Sequence, residues 1–231
     1  MANVTVPVEP HGAGLNPTHL RHHFATPEQQ FDSAMLGMWT FLVTEVLFFG
    51  GMFTAYAIYR TIYHDAFAST SQYMNVILGG TNTAVLICSS LSMAMAVRFA
   101  QISKSRPMVI SLLLTMFFGT IFLLVKAFEY HDKWEEWLVP GLRFDVTRYA
   151  SPEFAHHAQI LFFLYFAMTG MHALHMIIGL GLLTYLVVQG TRNVFSSAYY
   201  TPVEMIGLYW HFVDVVWIFL FPLLYLIGHR K

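Results

Sequence analysis

Glu45, His172, His175, His211 and Asp214 are the side chains of this 231-residue chain that could do chemistry, because each sits inside a stretch otherwise almost free of charge. His172-x-x-His175 and His211-x-x-Asp214 both have the i, i+3 spacing at which side chains on one helix meet. Three kinds of chemistry use such groups. Intramembrane Asp, Glu and His residues build proton relays, paired histidines bind haem or metal, and the same residues can form a polar network that only holds helices together. The metal reading is incomplete. His172-x-x-His175 resembles half of a carboxylate-bridged di-iron motif, but that motif needs Glu ahead of each His and further Glu residues on neighbouring helices. A b-type haem between His172 or His175 and His211 is geometrically conceivable, yet no second set of paired histidines supports it. No metal ligand is therefore assigned in this chain.

The elements that position these residues follow from the distribution of charge. Hydrophobic residues make up 56% of the chain and charged residues 11%, against about a quarter charged in a soluble domain, which excludes a water-soluble enzyme. The deficit is local: residues 33–59, 74–97, 107–125, 158–189 and 203–228 contain only Glu45, Glu204 and Asp214. Spanning a bilayer takes about 20 apolar residues in a helix. The expected fold is all-α, an integral membrane bundle of five transmembrane helices over about 33–60, 73–99, 107–131, 155–189 and 203–228. A polar N-terminal tail, 1–31, precedes this membrane domain, 32–231. The tail lacks the apolar core of a signal peptide, and its His11, His19, His22 and His23 form no compelling metal motif. The run midpoints fall at Val46, near Leu174 and near Val215, so the five ionisable residues share one central plane. Each costs about 2.5 to 3.5 kcal/mol there unless paired, neutralised or wetted. Their faces should turn inward and share hydrogen bonds, with His211 beside Asp214.

Packing and orientation follow from smaller signals. Gly80, Ala84, Cys88, Ser92 and Ala96 recur every fourth residue, a stripe that invites a neighbouring helix, and Gly50, Gly51, Gly170 and Gly179 offer similar contacts. Cys88 is the single cysteine, so no intramolecular disulfide can form. Pro222 should kink the last helix. Lys126 and Glu129, at i, i+3 near the outer end of the third run, can neutralise each other, and Glu204 sits where the last helix begins; all three are candidates for lipid or subunit contact. The basic loop of residues 100–106 favours a cytoplasmic N-terminus. Trp39, Trp134, Trp137 and Tyr199-Tyr200 lie near run ends, as interfacial anchors do. Nothing forms a phosphate loop, a nucleophile triad or a nucleic-acid patch.

Longer motifs add a family resemblance. "YWHFVDVVWIFLF" (Tyr209 to Phe221), "TGMHALHMIIGLGLL" (Thr169 to Leu183), "FLVTEVLFFGGMF" (Phe41 to Phe53), "KAFEY" (Lys126 to Tyr130) and "LVPG" (Leu138 to Gly141) occur in order. Over about residues 30 to 229 the chain resembles subunit III of the haem-copper respiratory oxidases. The resemblance implies a non-catalytic subunit of an enzyme that reduces oxygen to water and pumps protons. Haem and copper would then lie in partner subunits I and II, and this chain would bind no redox cofactor, though phospholipid is an expected companion. It also implies a bacterial cell-membrane location, an N-terminus in the cytoplasm, and a role for Glu45 as the family's buried helix glutamate in proton uptake or buffering. His172, His175, His211 and Asp214 remain the expected buried polar network. Many members have seven helices, the first two forming one arm of a lipid-filled cleft; this chain starts at what would be the third, so lipid ligands on those two helices do not carry over. Competing readings are a quinol-oxidase counterpart, a nitric-oxide-reductase accessory subunit, an independent proton-coupled transporter and a b-type cytochrome.

Overall fold

Three helix starts in this chain are written in their capping residues. In the computed structural model, which describes residue 21 and residues 24–70, 74–141, 143–149, 151–197 and 199–225, the first helix, α1 (Pro27–Ile62), begins behind Thr26, whose hydroxyl accepts from the Gln29 amide at 3.2 Å. A short helix, α2 (His64–Thr70), follows. Asn75 accepts from the Ile77 and Leu78 amides to open α3 (Val76–Gln101). Helix α4 (Ser105–Glu135) leads to an antiparallel strand pair, β1 (Leu138–Val139) and β2 (Arg143–Phe144), whose turn holds Gly141 at φ +75°. Ser151 caps α5 (Pro152–Thr191), and α6 (Thr201–Tyr225) runs through Pro222. A polar side chain at the cap supplies one of the acceptors that free helical amides need, and Pro27 and Pro152 occupy first-turn positions where no donor is lost. The tail histidines His11, His19, His22 and His23 lie outside the described residues.

Five of these helices, α1, α3, α4, α5 and α6, are long and apolar enough to cross a membrane, as the charge distribution predicts. Two boundaries move. Helix α1 reaches back to Pro27, into the stretch expected to be tail, and α4 continues to Glu135. The extra turns of α4 carry charge, but Lys126, Glu129 and Lys133 face inward and are buried, so charge ends the apolar run without ending the helix.

The core is a four-helix bundle of α3, α4, α5 and α6, with α1 laid against α5 and α6. The contrast in burial is sharp. Helix α1 buries only Leu42, Phe49 and Tyr56, one residue per heptad, whereas Leu36, Val43, Val46 and Leu47 each stay more than half exposed to the surroundings. A single seven-residue stripe gives a narrow seam, not the broader face of a helix packed on several sides.

Close packing in the bundle sets glycines against larger side chains, Trp210 among them, and the expected small-residue stripe is only partly used. Ser92 and Ala96 are buried, but Ala84 and Cys88 face outward. The inward face of α3 carries Gly79, Asn82, Leu86, Ser89, Met93 and Ala100 instead. A Cβ added at Gly119 or Gly179 would approach the Trp210 ring to 2.8 or 2.9 Å from its two sides, and one at Gly79 would meet Phe221 at 2.8 Å. Gly50 and Gly51 have nothing within 4 Å, so of the glycines expected to mediate contacts only Gly179 does so closely. The physical reason is the size of the partner. Wide indole rings need the absence of a side chain opposite them, and that need overrides a four-residue repeat.

Candidate functional site

The most complete polar structure lies in the C-terminal half of α4. Lys126 Nζ donates to Glu129 Oε2 at 3.0 Å, to Tyr225 Oη at 3.0 Å and to Tyr165 Oη at 3.1 Å. Both tyrosine hydroxyls donate to the other oxygen of the Glu129 carboxylate, Tyr165 at 2.6 Å. Four aromatic rings, of Tyr130, Tyr165, Trp217 and Tyr225, surround the ammonium with centroids 5.1 to 5.6 Å away. Both charged side chains are 4% exposed. This corrects the expectation that Lys126 and Glu129 contact lipid or another subunit: every polar atom of the pair is occupied inside the chain. The pairing itself is as the spacing predicts. Tyr165 and Tyr225 were not singled out by sequence reasoning, although a tyrosine inside an apolar run must find a partner for its hydroxyl, and that requirement could have pointed to them.

At mid-depth the expected shared network divides into separate sites. Glu45 on α1 places Oε2 3.5 Å from His175 Nε2. The other ring nitrogen, His175 Nδ1, lies 3.1 Å from the Tyr209 hydroxyl, which also donates to the His175 carbonyl at 3.1 Å. These contacts join α1, α5 and α6, and the three side chains line a groove of about 380 Å³ together with Met38, Phe41, Ile178, Leu182 and Ile206. Glu45 and His175 retain 18% and 12% side-chain exposure. Tyr209 is the residue that sequence reasoning missed here.

His211 and Asp214 are not bonded to each other, which corrects the expected pair. His211 Nδ1 lies 2.7 Å from Ser90 Oγ on α3. Neither Asp214 oxygen has a partner of hydrogen-bonding geometry, although the residue is 3% exposed. An i, i+3 spacing permits contact but does not compel it, and the serine on the facing helix gives the imidazole a closer partner. His172 is also outside the network. Both its ring nitrogens are buried without a hydrogen bond, and the ring packs on Phe122 and Trp217 at centroid distances of 5.3 and 5.2 Å. Glu204 lies in the first turn of α6, half-buried, with Oε2 unpartnered.

Among the described residues no group of three His, Cys, Asp or Glu side chains could hold a metal ion. The polar contacts of Glu45, His175 and Tyr209 bind α1, α5 and α6 to one another.

Fold and site together define a multi-pass α-helical membrane protein with ionisable groups set at mid-depth. Residues 141–229 match the family model described as cytochrome c oxidase subunit III. The chain is 31% identical to cytochrome c oxidase subunit 3 of Thermostichus vulcanus, over 95% of this chain and 96% of that one. It is 32% identical to the human subunit 3, over 90% of this chain and 74% of that one. A third relative, haem-copper oxidase subunit I+III of Aeropyrum pernix, is 31% identical over 89% of this chain; the match spans only 24% of that longer polypeptide. The chain belongs to the cytochrome c oxidase subunit III family, whose members are non-catalytic subunits of haem-copper oxidases.

Proposed function

We propose that this chain works beside the catalytic subunit I of a proton-pumping terminal oxidase in a bacterial cell membrane, with subunit II as a further partner and its own N-terminus in the cytoplasm. Haem and copper belong to those partners, and oxygen reduction to water takes place there. The name of the Aeropyrum relative, subunit I+III, supports the proximity of subunit I. Within this chain, Glu45 is the residue that supports proton uptake and the working lifetime of the catalytic subunit.

The observation that carries this role is the Glu45, His175 and Tyr209 chain beside an open groove. A carboxyl group that served only to join helices would be enclosed and fully bonded, as Glu129 is. Glu45 instead has one long contact, to a histidine that can take up or release a proton. The order Glu45, His175, Tyr209 gives a proton three stations across α1, α5 and α6.

Glu45→Gln keeps the side-chain shape and removes the titrating group. The complex should assemble normally, with slower proton uptake or a shorter lifetime during turnover, measured on the purified oxidase in vesicles. Unchanged turnover, pumping and lifetime would leave Glu45 with a packing role alone. Identification of co-purifying chains decides the donor: a copper-binding or haem c-bearing subunit II indicates cytochrome c, and a subunit II without either indicates quinol.

A further inference from the structure

The outer face of α3 and α6 presents a second groove, of about 290 Å³, lined by Leu86, Ile87, Ser90, Leu91, Ala94, His211, Asp214, Val215 and Ile218. Its rim is apolar and open: Leu91 is 67% exposed and Ile87 55%. Its floor is polar. Asp214 is buried there with both oxygens unpartnered, and Ser90 and His211 are engaged with each other. A buried carboxyl without a well-placed donor is costly in hydrocarbon, and among the described residues only the Ser90 hydroxyl, already 2.7 Å from His211, stands close enough to offer one.

We infer that this groove is the seat of a transmembrane helix from a partner oxidase chain, which places a hydrogen-bond-donating side chain against Asp214. The inference rests on the functional reading above, in that a partner chain must be present. Depth selects this occupant over a lipid. Asp214 is the fourteenth residue of α6, about 20 Å along the helix from its start and so near the middle of a hydrocarbon core about 30 Å thick. A phospholipid headgroup stays at the interface, and an acyl tail has no donor. Only a membrane-spanning helix brings a hydroxyl, amide or cationic side chain to that level. The outward-facing Ala84 and Cys88 of α3 stand on the same exposed side, where small residues let another backbone come close. The small-residue stripe that the bundle does not use is thereby given a partner outside it.

The test uses the assembled oxidase in native membranes. A photoreactive benzophenone side chain introduced at Leu91 should form an adduct with a transmembrane peptide of a partner oxidase chain, and that peptide should contain a donor residue near mid-span. Asp214→Leu removes the unpartnered carboxyl, so this chain should fold at least as stably as before, yet recovery of the crosslinked partner should fall about threefold, and up to about twentyfold. Asp214→Asn, which keeps an acceptor, should retain most of it. Adducts with phospholipid alone, adducts with a second copy of this chain, or full partner recovery in Asp214→Leu would each overturn the inference. If no oxidase chain co-purifies at all, the functional reading falls together with it; if oxidase chains are present and only lipid is labelled, this inference falls alone.

Discussion

Lys126 and Asp214 are both buried ionisable residues within the membrane-spanning helices, and the chain treats them in opposite ways. Lys126 is enclosed by a carboxylate, two phenols and four aromatic rings. Asp214 has two bare oxygens at the foot of an apolar groove. Glu45 stands between these extremes, with one long contact to His175 and an open groove beside it. The difference separates a polar group that joins the helices of one chain from groups that remain available to something outside it. A satisfied buried pair has little affinity left for a ligand, whereas an unsatisfied carboxyl at mid-depth is tolerable only if it is neutralised, wetted or given a partner on assembly.

The strongest way to break the comparison is to open the closed site. Glu129→Ala would leave the Lys126 ammonium and two tyrosine hydroxyls without their shared acceptor. Removing one member of a buried ion pair typically costs about 3 to 5 kcal/mol, and the thermal midpoint of the purified chain in detergent should drop steeply. Replacing both charges, with Lys126→Met and Glu129→Leu together, should recover most of that loss, because apolar substitution of an entire buried pair is often neutral or stabilising. A double variant as unstable as the single one would show that the tyrosines, not the charges, depend on the carboxylate.

Next in size is the packing beside the same bundle. Gly179→Val would drive a branched side chain into the Trp210 ring, where even a bare Cβ stands at 2.9 Å, and overpacking of this kind costs about 1 to 3 kcal/mol. Gly50→Ala, on the loosely held α1, meets nothing within 4 Å and should not destabilise the chain, with at most about 1 kcal/mol gained in helix propensity. Equal losses at the two positions would contradict the picture of a tight four-helix bundle with a lightly attached first helix.

Much of this was readable in advance, for definite reasons. Apolar length revealed the five spans, whereas the caps Thr26, Asn75 and Ser151, which set three of the helix starts, were not singled out. The Lys126–Glu129 pair was readable because both partners lie on one helix, so spacing alone brings them together. Its burial was not, since charged residues near a helix end are more often solvated, and only the hydroxyls of Tyr165 and Tyr225 on two other helices make the inward position tolerable. The mid-depth residues fared differently. Depth along each helix follows from sequence, which is why Glu45, His175, His211 and Asp214 were expected at one level. Rotation about the helix axis depends on packing, and it sends Glu45 and His175 to one groove and Asp214 to another. The same freedom hides the role of the glycines: a gap opposite Trp210 is a tertiary requirement with no local period.

The smallest expected effect falls on His211, and it is the most discriminating for the open side of the comparison. If His211 neutralised Asp214, His211→Leu would strand a carboxyl and destabilise the chain by several kcal/mol. Its observed partner is Ser90, at 2.7 Å, so the loss should be that of one intramembrane hydrogen bond, about 0.6 kcal/mol and at most about 1.7. A change of that size moves the thermal midpoint of a chain this long by only a few degrees, about 2 to 4 °C per kcal/mol. A double-mutant cycle with Asp214→Leu sharpens the measurement. Side chains with no shared partner contribute nearly additively, within about 0.5 kcal/mol; His211 and Asp214 both stand beside Ser90, so a modest coupling carried by that hydroxyl is expected in the isolated chain. A coupling well above that would mean that histidine and aspartate act as one unit, and Asp214 would no longer be a group held open for a partner.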